Sequence, residues 1–408
     1  MPTVHSLPDP LLDPTESDDL LKFYDDAQRE KYIHPHDVSM KAQAMMALFD
    51  ERYDELGPIY GKHVGDANIY TTGRIKNHDV VLAYMPGMGN RTSAGVASVL
   101  PVSFTGIKLA LLVGICGGVP YASDRTEIVL GDIIIGDSVI EYDFGRQYPD
   151  RFERKEGIME APASPNREIR SFLNFLRTLQ MRDLVQRQTM DYLKILQEMK
   201  GNQWKYPGIL QDRLFEASYR HKHYNQKSLA ECICADCHSS FDPVCQQALK
   251  SDCGTIGCAG DLVLRRRLHS DNPAPIIHIG KIASASSVMK SGEHRDQLAE
   301  KEGVIGFEME GAGVSDSLPC MIIKGVCDYA DSHKNKAWQN YAAATAASCA
   351  KCILAYWQDG SQQQPLPFER DEMFVGREDI IMNIRNALQG RAGQTSKRAA
   401  LVGLGGVG

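Results

Sequence analysis

Apolar and polar positions along the chain fall into two rhythms. Between residues 68 and 357, apolar runs of strand length alternate with glycine-rich turns and stretches of helical period. "VVLAYMPGMGN" (80–90) reads as a strand breaking into a glycine loop, and "SAGVASVLPVSF" (93–104) as a helix. "KLALLVGICGGVP" (108–120) reads as a second strand ending in glycines, and "LGDIIIGDSVIEYDFG" (130–145) as further β material. The pattern returns in "PIIHIGKIASASSVM", "EGVIGFEMEGAG" and "CMIIKGVCDYADSHK", each a strand with polar residues at its carboxyl end. "NYAAATAASCAKCILAYW" (340–357) is a small-residue helix that closes the unit. Such alternation predicts an α/β domain with a largely parallel sheet. Ligands in such sheets gather beyond the carboxyl ends of the strands.

The second rhythm occupies about 164–272. Residues 166–199 are helical by period, and a cysteine-rich loop follows. This reads as an insertion in the α/β domain and not as an independent fold. At the ends, residues 1–30 form an acidic, proline-containing leader read as disordered. Residues 358–370 read as a polar linker, and 371–408 as a helix followed by a strand that breaks into glycines.

Composition narrows the classes. Of 408 residues, 43% are hydrophobic and 24% charged, as in ordinary globular proteins. A net charge of -7 gives no reason to expect nucleic-acid binding. No apolar run approaches the roughly 20 residues that span a bilayer. The leader lacks a basic-then-apolar signal pattern, so a cytoplasmic location is expected. Six of the 11 cysteines (Cys232, Cys234, Cys237, Cys245, Cys253, Cys258) lie within 232–258. They include one CxxC, Cys234 and Cys237, but the later spacing is loose for four tetrahedral ligands, so no metal is expected. No cofactor is expected either.

Several polar groups invite chemistry. "FEMEGAG" (307–313) sets Glu308 and Glu310 at the edge of a buried strand, where acids suit a helix start or a ligand. Asp328, at the end of an apolar run, reads as an N-cap or as an acid whose pKa burial raises. "PGMGN" is a candidate anion loop through Gly87, Gly89 and Asn90, with Arg91 and Thr92 behind it; a plain strand–helix turn is as good a reading. Arg265, Arg266 and Arg267 form a basic run that is a solvated surface by default, and a phosphate contact otherwise.

"LVGICGGVP", "GFEMEGAG" and "IIKGVCDYADSHKNKAWQNYAAATAA", in this order, resemble the purine nucleoside phosphorylase and nucleosidase superfamily. The resemblance is greatest to the version found at the N-terminus of fungal NOD-like proteins, and it covers about 66–357. It implies a mixed, barrel-like β-sheet flanked by helices within a domain of 31–357, assembled as a dimer, trimer or hexamer. The tail "FVGRE…GLGGVG" resembles the entry to a STAND module of the NB-ARC kind, whose phosphate loop would continue with Lys and Ser/Thr beyond Gly408.

The implied activity is cleavage of the N-glycosidic bond of purine nucleosides or nucleotides, ATP among them, as the effector of an immune-type protein. Phosphate-dependent cleavage and an inactive sensing or assembly module are the alternatives. By the same resemblance Asp328 is the general acid for the purine, and Glu310 grips the ribose hydroxyls. Phe307 and Met309 line the sugar, and Glu308 has no ligand role. The backbone at Gly114, Cys116, Gly117 and Gly118 approaches the ligand, and Ser286, Ser287 and Val288 meet the purine. One departure stands out: Lys41 falls where the hydrolytic branch carries a water-activating glutamate. A lysine replaces such a base only with a strongly depressed pKa.

Overall fold

The apolar runs form strands that close on themselves. A computed structural model of the chain describes residues 35–53, 62–155, 165–199, 201, 203–225, 232–239, 242–268 and 273–358. The chain divides into two units, Met1–Trp357 and Gln358–Gly408, and the described residues belong almost wholly to the first. The expectations for the leader, and for the linker and nucleotide-binding start beyond residue 358, lie outside them.

Five strands make a closed barrel: β4 (Ala110–Gly118), β5 (Ile133–Glu141), β8 (Ile277–Ser284), β9 (Val304–Glu308) and β10 (Cys320–Asp328), in the order β10-β4-β9-β8-β5. Around them lie a small sheet of β1 (Glu51–Arg52), β2 (Tyr70–Ile75) and β3 (His78–Ala83), and a hairpin of β6 (Gly145–Gln147) and β7 (Phe152–Arg154). The fold is mixed α/β. The alternating rhythm suggested a largely parallel sheet, but the β4–β9 and β10–β5 seams are antiparallel. The β4–β9 seam fixes the site. It is formed by Gly117 opposite Phe307 and Gly118 opposite Gly306, so the two strands overlap only at their carboxyl ends. With Asp328 beside Gly117 and Ser284 beside Glu308, four strand ends converge.

Helices α1 (Pro35–Met46), α2 (Asn90–Ser103), α3 (Arg167–Leu176) and α4 (Leu179–Glu198) precede the short α5 (Gln246–Lys250) and α6 (Cys253–Ile256). Then follow α7 (Gly292–Glu302), α8 (Gly311–Ser315) and α9 (Gln339–Tyr356). The alanine-rich α9 is buried from Tyr341 to Leu354 because its small side chains let it lie close against β10. A Cβ on Gly325 would run into the Ala342 carbonyl. The helical part of 164–272 joins this core through Ile169, Leu173, Met181, Val185 and Leu193. The cysteine-rich part has small clusters of its own, around Cys234 and around Phe215. Among the described residues no helix is long and apolar enough to cross a membrane.

Candidate active site

Asp328 ends β10 with its carboxylate half-enclosed. Its Oδ1 accepts from the Ala330 amide (2.9 Å) and from Lys334 Nζ (2.7 Å). Burial pulls the Lys334 ammonium down, but the Asp328 carboxylate outweighs it and raises its pKa. A Cβ on Gly117 would stand 2.8 Å from Asp328 Oδ1, so only glycine lets the two strand ends lie this close. Gly118 is packed as tightly against Val326.

The second carboxylate group rests on one lysine. Lys324 Nζ, buried within β10, reaches Glu310 Oε2 (2.9 Å) and Glu308 Oε2 (3.1 Å). Gly114 lies beside it: a Cβ there would be 3.6 Å from Lys324 Nζ and 3.7 Å from Lys41 Cδ, an ordinary contact distance. Burial works to raise the Glu310 pKa, but the Lys324 and Lys41 charges overcome it and hold the group below its ordinary value. Burial likewise works against the Lys324 charge, which Glu310 and Glu308 more than restore, so its pKa is raised. Glu308 differs from Glu310. Its carboxylate accepts from the amides of Glu310 (3.0 Å) and Gly311 (2.9 Å), capping α8. Cys116 is buried within reach of the charges on Lys324, Asp328, Glu308 and Lys334, and burial pushes its thiol up.

A third wall comes from the start of α2. Asn90 Oδ1 accepts from Ser284 Oγ (2.8 Å), and Ser93 Oγ donates to the Glu310 carbonyl (2.8 Å). A Cβ on Gly313 would strike the Asn90 carbonyl, so this glycine sets how closely α8 meets α2, while Gly311 lies against Ile322 and Glu308. Gly89, at φ 106°, turns the chain into α2 and faces Ser286, whose Oγ would be 3.7 Å from a Cβ there. Gly87 and Met309 are half-buried, Arg91 is exposed, and Thr92 Oγ1 donates back to the Met88 carbonyl (3.3 Å). Ser286, Ser287 and Val288 form an exposed rim. Tyr142 binds that rim through the Ser287 carbonyl (3.1 Å), with its ring edge-on to Phe307 at 5.9 Å.

One expectation needs correction. Arg265 and Arg267 are not free to meet phosphate. Arg265 is buried between the Tyr121 and Tyr329 rings and donates to the Pro120 and Ile128 carbonyls. Arg267 forks onto the buried Asp132 (Nη2 to Oδ1, 2.9 Å), and Arg266 alone of the three is exposed. Spacing argued against a metal site, yet the fold gathers cysteines and histidines into two groups. His221, Cys253, Cys258 and His333 converge, as do His223, Cys232, Cys234 and Cys245, while Cys237 stands apart. The sequence reading missed Lys324, Lys334, Ser284 and Tyr142. A lone charge in "CMIIKGVC" was the available signal for Lys324, since a buried lysine needs a carboxylate partner.

Residues 45–180 match the profile of the phosphorylase superfamily. The chain is 30% identical over 407 residues to a nucleotide-binding leucine-rich repeat (NLR)-like protein of Hyaloscypha variabilis. That alignment covers 94% of this chain and 36% of the relative, so the chain spans about a third of the relative's length. Among solved structures, a futalosine hydrolase of Helicobacter pylori is similar with a TM-score of 0.45 at 12% identity, over 78% of this chain and 94% of that one. A 5'-methylthioadenosine/S-adenosylhomocysteine nucleosidase of S. pneumoniae is similar with a TM-score of 0.43 at 16% identity, over 77% and 94%.

Proposed function

Starting from a chain that carries a phosphorylase-superfamily domain, we propose that it cleaves the N-glycosidic bond of a purine nucleoside or nucleotide by hydrolysis. The observation that carries this reading is the pair of lysine-held carboxylates at neighbouring strand ends, Asp328 with Lys334 and Glu310 with Lys324. Bond cleavage leaves a sugar of oxocarbenium character and a purine that departs as an anion unless it is protonated. Asp328 Oδ1 is tied to Ala330 and Lys334, so Oδ2 is the oxygen that delivers the proton to the purine. Glu310 holds the ribose hydroxyls and offsets the developing positive charge. The amides at the start of α2, from Gly89 to Thr92, would receive a phosphate if the substrate is a nucleotide.

A second reading, phosphorolysis, is favoured by Lys41. By the resemblance it falls where a hydrolase would carry its water-activating carboxylate, and its side chain lies beside Gly114, next to Lys324. A cation suits an anionic nucleophile. By likeness to an NLR-like protein, either activity would serve as the effector of a longer, assembling protein and deplete a purine nucleotide such as ATP.

Adenosine, inosine and ATP, incubated with the protein with and without phosphate, separate these readings by chromatography of the products. Free base with ribose or ribose 5'-triphosphate, formed without phosphate, is the expected result. A 1-phosphosugar formed only with phosphate assigns phosphorolysis. No base release under any condition overturns both and leaves a ligand-sensing or assembly module.

A further inference from the structure

We propose that the cysteine-rich region binds two zinc ions, one in a Cys2His2 set of His221, Cys253, Cys258 and His333 and one in a Cys3His set of His223, Cys232, Cys234 and Cys245. The ligand atoms of each set lie within 4.8 Å of one another. Zinc bonds of about 2.3 Å to sulfur and 2.0–2.1 Å to nitrogen, at tetrahedral angles, require S···N edges of about 3.5 Å. In the first set His221 Nδ1 lies 3.5 Å from both Cys253 Sγ and Cys258 Sγ, and His333 Nδ1 lies 3.5 Å from Cys253 Sγ. In the second, His223 Nδ1 is 3.4 Å from Cys232 Sγ and 3.5 Å from Cys245 Sγ. Both sets have the tetrahedral edge length.

The outer shell is arranged for a cation as well. Metal-bound histidines give their second nitrogen to a carbonyl, which fixes the tautomer. His221 Nε2 lies 3.0 Å from the Ser251 carbonyl, and His333 Nε2 lies 2.9 Å from that of Tyr219. Those carbonyls take the Nε2 protons and leave both Nδ1 lone pairs facing the thiols. The Ala248 amide donates to Cys245 Sγ (3.3 Å), the bond a thiolate ligand receives from a helix start. Gly257, at φ 78°, reverses the chain so that the Cys258 amide meets the Cys253 carbonyl and the two thiols converge. Phe215 packs on the His333 ring at 4.3 Å and keeps that flank apolar. Thiolate with imidazole in tetrahedral sets selects zinc over magnesium or calcium.

The first site has a structural consequence. His333 comes from the loop after β10, next to Lys334, whereas its partners belong to the region between β7 and β8. The ion staples that region to the loop that carries the Asp328 partner.

Elemental analysis of the full chain, purified under reducing conditions, tests the proposal without any catalytic readout. About two zinc ions per chain are expected, one for each tetrad. Cys253→Ser and Cys232→Ser should each lower the content to about one, whereas Cys237→Ser, outside both sets, should keep both. Should a variant fail to fold, cobalt(II) exchanged into the wild-type protein should give the intense visible d–d bands of tetrahedral thiolate coordination. Zinc absent from freshly purified protein together with no such cobalt bands overturns the proposal. So does a Cys237→Ser variant that loses zinc as fully as Cys253→Ser, or disulfides linking the tetrad cysteines in the native protein.

Discussion

Two carboxylates separated by one methionine share Lys324 but differ in what else holds them, which is the basis of the different tasks proposed for them. Glu308 is enclosed and spends its oxygens on the Glu310 and Gly311 amides and on Lys324. Its replacement by alanine leaves Lys324 with Glu310 alone and takes the acceptor from the Glu310 and Gly311 amides, a loss below the ~3–5 kcal/mol of a fully broken buried pair. Urea titration of Glu308→Ala should show that loss, and a wild-type midpoint would refute it. Glu310→Ala should lose turnover and, because it removes the nearer of the two carboxylates on Lys324, some stability as well. Asp328→Asn retains size and hydrogen bonding but not the proton, so turnover on a purine substrate should fall by about 10²–10⁴-fold with the fold intact. Full activity in that variant would remove Asp328 from the mechanism. The motif around Glu310 and Asp328 was legible in the sequence because each stands at a break in an apolar run. The capping by Glu308 was not, since a cap is defined by which amides turn toward it.

At the level of elements, the alternation of strands and helices was legible and the direction of their pairing was not. A five-residue strand such as β9 carries the same apolar signature whether its neighbour runs with it or against it. The cysteine region hid its own order more thoroughly. One tetrad is nested in the other, with all four residues of the second set falling between His221 and Cys253 of the first and His333 supplied from beyond β10, so neither set shows a regular spacing in one dimension. Glycines mark where elements touch. Gly325→Ala forces α9 off β10 at a backbone carbonyl, and overpacking of this kind costs about 1–3 kcal/mol. A melting temperature equal to that of the wild type would show that α9 shifts freely. Gly117→Ala should instead act locally, displacing Asp328 and lowering turnover more than substrate affinity.

For the whole molecule, buried charge sets the response to pH. Burial works to raise the Asp132 pKa, but His278 and Arg267 outweigh it and keep the group below its ordinary 3.8. A depressed carboxyl stabilises the fold fully above its unfolded value, and that contribution is lost as pH falls through the folded value. Glu310 has the same sign. Urea midpoints should therefore hold near neutrality and fall steeply below about pH 4. Asp132→Asn should flatten that fall; an unchanged slope would remove Asp132 from it. The closed barrel also bears on crowding. Each of its five strands has a neighbour on both sides, although the β4–β9 seam is short, whereas among the described residues the small sheet and the β6–β7 hairpin have open edges. Exposed edges are the templates on which chains recruit one another into cross-strand aggregates. Copies held at high local concentration thus find fewer such templates on the barrel than on the open edges of the small sheet and the hairpin, with the short β4–β9 seam as the barrel's least paired side.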